Sequence, residues 1–135
     1  MDCPFCAIVA GDAPASVVHA DDTAVAFLDI EPANPGHTLV VPRDHADGLG
    51  DLPAETGGHM FGVAQRVAAA LRASVDADGI GLLLADGAAA GQEVFHVHLH
   101  VIPRHEGDGV VFRGNQTPAD RDDLDELASR VRDHL

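Results

Sequence analysis

The sequence predicts an α+β fold, and three observations lead to it. Three short apolar runs separated by turn residues fill the amino-terminal third, one long stretch then carries helical spacing, and two further strand-like runs follow, joined by a loop of small residues. Residues 16–42 hold "SVVHA", then "AVAFLDI" after Asp21-Asp22, then "HTLVVPR" after Pro32, Pro35 and Gly36, the pattern of an antiparallel meander. From about Leu52 to Val75, Met60, Ala64, Val67, Leu71 and Val75 recur at helical spacing, which Gly57 and Gly58 weaken early on. "GIGLLLADG" is a continuous apolar strand leading through "DGAAAGQ" into the last strand. At the carboxyl end, Thr117 is placed to cap a helix over about 118–134 with Pro118 in its first turn. Leu124, Leu127, Ala128, Val131 and Leu135 line one face of it, and "DRDDLDE" is its solvated, dipole-facing side. No repeat or linker interrupts the chain, so residues 1–135 are expected to form one domain, of a size that often gains stability by dimerising.

"GQEVFHVHLHVIPR", residues 91–104, sets His96, His98 and His100 at every second position with Val97, Leu99 and Val101 between them. Side chains alternate across a strand, so this stretch predicts one imidazole face and one aliphatic face. Three imidazoles side by side serve as metal ligands, as acid and base, or as a nucleophile with helpers, and spacing alone leaves all three open. Gly87, Gly91 and Gln92 precede them, where lightly covered backbone amides suit a phosphate; a nucleophilic histidine beside such a loop suggests phosphoryl or nucleotidyl transfer.

Cys3 and Cys6 are the only cysteines. Their spacing fits two corners of a tetrahedral zinc site, with the rest supplied from nine histidines. A redox dithiol or two inert thiols are the alternatives, although a redox pair normally follows a strand at a helix start and these lie at the extreme terminus.

"CPFCAIVAGDAPASVVHADDTAVAFLDIEPANPGHTLVVPRDH" (residues 3–45) and "AGQEVFHVHLHVIPR" (residues 90–104) together resemble the histidine-triad (HIT) family, in particular its Hint-like branch. The resemblance implies an antiparallel sheet of about five strands with one long helix and a short amino-terminal helix, the sheet continued across a homodimer. It implies a purine nucleotide as ligand, cleaved at the α-phosphate, as in adenosine phosphoramidates, adenylates or dinucleoside polyphosphates. His98 would attack phosphorus and form a nucleotidyl-histidine that water hydrolyses, His100 would bind phosphate oxygens, and Gln92 would assist near them. Asp29 would hold the ribose hydroxyls, a role that suits a carboxylate following "AVAFL". Phe5, Ile8, Phe27 and Ile30 would line the base pocket or serve as core, and Gly91, Glu93 and Val94 would complete the nucleotide set. One structural zinc per chain would be held by Cys3, Cys6, His45 and His96.

Two positions depart from the family pattern. Ala85 stands where many relatives carry an Asn that contacts the ligand, and Glu93 stands where Ser or Thr is common near the leaving group. Losing one hydrogen bond to an anion costs about 1.5–3 kcal/mol. A non-catalytic nucleotide-binding module is therefore an alternative, and a metallohydrolase using the triad as ligands is another.

Twenty-two acidic residues oppose eight basic ones, all Arg, for a formal net charge of −14. Such a charge repels nucleic acid and anionic membranes, so neither is expected as a partner. The amino terminus has no basic region followed by an apolar run, which predicts a soluble, cytoplasmic protein. A halophilic cytoplasm reconciles the charge with activity on small anions, because the Debye length falls to about 3 Å at 1 M salt; an ordinary acidic protein is the alternative. On the halophilic expectation, the midpoint of thermal unfolding rises as KCl is taken to molar concentration, and a flat or falling midpoint removes it.

Overall fold

The computed structural model describes residues 2–111, 114 and 116–135. In chain order the elements are α1 (Pro4–Ala10), β1 (Val17–Ala20), β2 (Ala24–Leu28), β3 (Thr38–Pro42), α2 (Ala54–Ser74), β4 (Gly79–Leu83), β5 (Leu99–Arg104) and α3 (Arg121–Asp133). The five strands form one antiparallel sheet in the order β1-β2-β3-β5-β4. The expected α+β class, meander and long helix are all present.

The runs "AVAFL" and "TLVVP" do not alternate in polarity because both faces of the sheet are covered. Ala24, Ala26, Val40, Val97 and Val101 pack with Met60, Val63, Ala64, Val67 and Leu71 of α2. Val25, Phe27, Leu39 and Val41 point the other way and pack with Phe5 of α1. The triad histidines share this second face, opposite the interleaved Val97, Leu99 and Val101. Sheet parity therefore decides that the imidazoles meet α1 and not the long helix.

Two sequence expectations are corrected. The regular strand begins at Leu99, so His96 and His98 precede it. Pro42 has no amide hydrogen to extend the ladder beyond the Val40–Leu99 pair, and its carbonyl is taken by the His96 ring at 2.8 Å. At the carboxyl end Asp120, not Thr117, caps α3, its carboxylate accepting from the Asp122 and Asp123 amides. A charged oxygen also complements the helix dipole, which a hydroxyl does not. The apolar side of α3 is exposed at Leu124, Leu127 and Val131. Among the described residues no helix is long and apolar enough to cross a membrane.

Asp21 ties the β1–β2 turn to α2. One carboxylate oxygen accepts from the rings of His19 at 2.6 Å and His59 at 2.8 Å, and the other from the amides of Thr23 and Ala24. Burial raises its pKa, but these four donors outweigh it and hold the carboxyl well below the usual carboxylate range. A depressed folded-state pKa stabilises fully above the unfolded value, near 4, and that contribution is lost as pH falls through the folded value. Asp21→Asn should therefore unfold at lower urea than wild type at pH 6, and the difference should narrow steadily as pH is lowered toward 2.

Candidate functional site

Between α1 and the end of the sheet lies a cavity of about 800 Å³. Phe5 and Ile8 come to it from α1, Phe27 from β2, Asp29 and Ile30 from the chain just after β2, and Gly91, Glu93 and Val94 from the loop before the triad. His98 and His100 line the same cavity. The structure thus brings together every residue expected around the nucleotide except Gln92. Ile30 is 94% exposed and plays no part in the core, whereas Phe5 and Phe27 are core residues whose edges also reach the cavity. Phe5 meets the ring of Phe27 at 5.5 Å and that of His98 at 5.1 Å, both edge to face, which packs His98 into one orientation.

Hydrogen bonds decide which nitrogen of each imidazole is free. His98 is buried, and its Nδ1–H donates to the His96 carbonyl at 2.8 Å. In the neutral ring this leaves Nε2 as the lone-pair nitrogen, the form required of a nucleophile or base. The His100 ring lies 4.9 Å from that of His98. Its pKa is lowered to about 4, first by burial and then by the neighbouring rings of His98 and His37, against the opposing pull of Asp29. His100 is accordingly neutral near pH 7.

Gln92 does something other than expected. Its side chain is buried; Oε1 accepts from the Gly87 amide at 2.7 Å, and Nε2 donates to the carbonyls of Asp47 and Val94. Both amide hydrogens are engaged, so Gln92 clamps the loop in shape. The backbone amides of Gly87, Gly91 and Gln92 are likewise spent within the loop, on Gln92 Oε1 and on the carbonyls of Ala88 and Gly87. The Gly-rich loop is a built wall and not a bare anion cradle. Gly87 and Gly91 keep their place by conformation, with φ of 95° and 96°, a region that favours glycine.

Behind the cavity stands a second cluster. Cys3 Sγ lies 3.3 Å from His96 Nδ1, and Cys6 Sγ lies 3.3 Å from His45 Nδ1 and 3.5 Å from His96 Nδ1. All four donor atoms lie within 4.8 Å of one another. With Zn–S near 2.3 Å and Zn–N near 2.0–2.1 Å, tetrahedral sulfur and nitrogen ligands stand roughly 3.5 Å apart, so the donor set fits. Outer bonds prepare it: His96 Nε2–H donates to the Pro42 carbonyl and His45 Nε2–H to Asp47 at 2.6 Å, leaving both Nδ1 lone pairs turned to the sulfurs. Burial raises the Cys3 thiol's pKa, but hydrogen bonds from the Cys6 amide and the Cys6 thiol outweigh it and favour the thiolate. Cys3 also caps α1, accepting the Cys6 amide at 3.2 Å, so the pair does begin a helix and its terminal position no longer argues against redox chemistry. The two histidines facing the sulfurs are what favour a metal.

Residues 10–107 match the family profile described as HIT domain. The chain belongs to the HIT family. A crystal structure of a HIT family protein from Bacillus anthracis superposes with a TM-score of 0.90 at 36% identity, covering 99% of this chain and 97% of that one. A zinc-bound histidine triad family protein from Mycobacterium smegmatis superposes at 0.80 with 45% identity, over 96% and 98% of the two chains. The adenylylsulfatase HINT3 of Arabidopsis thaliana is 34% identical over 99% of this chain and 70% of its own length.

Sequence reasoning passed over two residues of this HIT protein. Asp47 orients His45, and His37 bonds to His100 at 2.9 Å. The carboxylate two residues after His45 was visible as a hint. Nothing local marks His37, because its contact with His100 exists only through the pairing of β3 with β5.

Proposed function

We propose that the chain is a nucleotide hydrolase or transferase that binds an adenosine nucleotide in the 800 Å³ cavity and passes the nucleotidyl group through His98. One observation carries the reading: His98 has its Nδ1–H committed to the His96 carbonyl, so its Nε2 lone pair is the ring nitrogen left for a ligand in the cavity that His98 lines. Nε2 attacks the α-phosphorus, the bond to the leaving group breaks with its electron pair, and a nucleotidyl-histidine forms. Water then attacks phosphorus and gives up a proton to the solvent, the P–N bond breaks, and Nε2 regains its lone pair. Asp29, with Oδ1 already accepting the Glu31 amide, has capacity left for ribose hydroxyls, and Phe5, Ile8, Phe27 and Ile30 offer apolar contact to a base. The similarity to an adenylylsulfatase supports hydrolysis at a nucleotide phosphate.

Zinc would be held by Cys3, Cys6, His45 and His96 in a closed, structural site, a reading supported by the donor geometry and by the zinc-bound relative. His96 supports the triad from that site, whereas His98 stands in neither of the clusters at metal-ligand spacing among the described residues. The binding-module alternative draws its support from Glu93, which adds a carboxylate to the wall of a cavity meant for an anion.

Brief mixing with an adenosine phosphoramidate should give a transient adduct of one AMP by intact-protein mass spectrometry. His98→Asn should abolish the adduct and lower kcat by about 10⁴-fold or more, with nucleotide affinity retained. Binding without adduct or AMP release by wild type would favour the module. Elemental analysis should find about one zinc per chain, lost in Cys3→Ser and His96→Asn together with thermal stability. Rapid, reversible loss of turnover on chelation without unfolding would contradict a structural role.

A further inference from the structure

The four donors of the candidate metal cluster are of two kinds. His96 is fully buried and bonded to the Pro42 carbonyl, and His45 is held by Asp47. Cys3 and Cys6 are only half-buried. Both line an open recess of about 570 Å³, with Pro4, Ala7 and Ala10 of α1 beside them and neither histidine in its wall. A small molecule in that recess meets the two sulfurs without passing the imidazoles.

The sulfurs also stand where they can join. Cys3 caps α1 and Cys6 follows three residues on, its amide bonded to Cys3 Sγ at 3.2 Å. Their Sγ atoms lie within 4.8 Å of each other. Positions three apart on a helix have Cα atoms about 5 Å apart, inside the span of about 4.4–6.8 Å that a disulfide tolerates. Rotation of two side chains is then enough to close the bond. The chain has no other cysteine, so oxidation within one molecule has a single product.

We propose that Cys3 and Cys6 form a reversible oxidation site, which a small aliphatic disulfide converts to a Cys3–Cys6 disulfide that cannot hold the metal. One cysteine thiolate attacks a sulfur of the oxidant, whose S–S bond breaks, and a first small thiolate leaves. The other cysteine thiolate attacks the protein-side sulfur of the mixed disulfide, and the second small thiolate leaves. Two electrons pass from the pair to the oxidant, and the released thiolates take protons from the solvent. A disulfide sulfur carries no charge and is no longer a thiolate ligand, which leaves the cluster with His45 and His96 alone. Oxidation and metal binding thus exclude each other. Because α1 carries Phe5 and Ile8 to the nucleotide cavity, oxidation removes one of the ties between that wall and the triad. The proposal rests on the zinc reading only for the ion released; the closing bond needs the sulfurs and nothing else.

The full chain, purified under reducing conditions with its metal, is mixed with oxidised glutathione at neutral pH. Intact-protein mass spectrometry should show a loss of about 2 Da, with both cysteines protected from iodoacetamide until a thiol reductant is added. A chromogenic chelator should report about one zinc released per disulfide, beyond a control without oxidant, and added zinc should slow the closure. Cys3→Ser and Cys6→Ser should each stop at a mixed disulfide. Wild-type thiols that stay open to iodoacetamide would overturn the proposal. So would a product that ends as mixed disulfides or as a disulfide between chains, or a disulfide-bearing chain that keeps its zinc. Wild type decides even where a variant fails to fold. A chain that carries no zinc and still closes the disulfide supports the oxidation site and counts against the zinc reading alone.

Discussion

Proline has no amide hydrogen, so the ladder between β3 and β5 cannot continue regularly past Pro42, and the backbone groups of the next residues must find other partners. They find histidine rings and a loop. The Pro42 carbonyl accepts from His96, the His96 carbonyl accepts from His98, and the Val97 amide donates to the Ala46 carbonyl. Had the ladder run on, the Val97 amide would have taken the Pro42 carbonyl and the His96 ring would have lost its anchor. The candidate metal site depends on this interruption, and the candidate nucleophile is anchored on the irregular backbone just before the regular strand.

A single economy governs the histidines that result. Each ring has two nitrogens, and the fold commits one to a fixed partner so that the other is presented in a known state. His96 and His45 give Nε2–H to an oxygen and offer Nδ1 toward the sulfurs. His98 gives Nδ1–H to a carbonyl and keeps Nε2 as a lone pair. His100 accepts at Nδ1 and so keeps Nε2 as a donor. Neighbouring residues of one strand-like run thus present opposite polarity to the same cavity, which an attacking atom and an oxyanion-binding atom require.

The sheet and the long helix were legible because their apolar runs and turn residues lie within a few positions of one another. "AVAFL" and "TLVVP" are recognisable as strands from local sequence, and Met60, Ala64, Val67 and Leu71 as a helix face. The residues around the cavity were legible through family resemblance, not through spacing: nothing in "AVAFLDI" alone says that Asp29 lines a cavity with His98. What stayed hidden is whatever depends on register or on competition for hydrogen bonds. His37 reaches His100 only because Leu39 pairs with it, and Gln92 turns inward only because Gly87, Asp47 and Val94 converge on it. The start of α3 was misplaced for a related reason, since Thr117 and Asp120 both qualify as caps and the choice rests on where the charge meets the helix.

Charge bears on the same site from a longer range. A chain of net charge −14 meets an anionic ligand against its own field, and the described residues lining the cavity include Asp29 and Glu93 but no arginine. Long-range repulsion of this kind decays with the Debye length and is largely removed at molar salt. Hydrogen bonds near 3 Å from neutral imidazoles act inside that length and survive it. A phosphate held by arginines would lose part of its attraction as salt rises, whereas one held by neutral donors loses little and gains from the screening of the surface. On the proposed function, a ligand held by imidazole hydrogen bonds and not by arginines would therefore keep most of its binding as salt is raised.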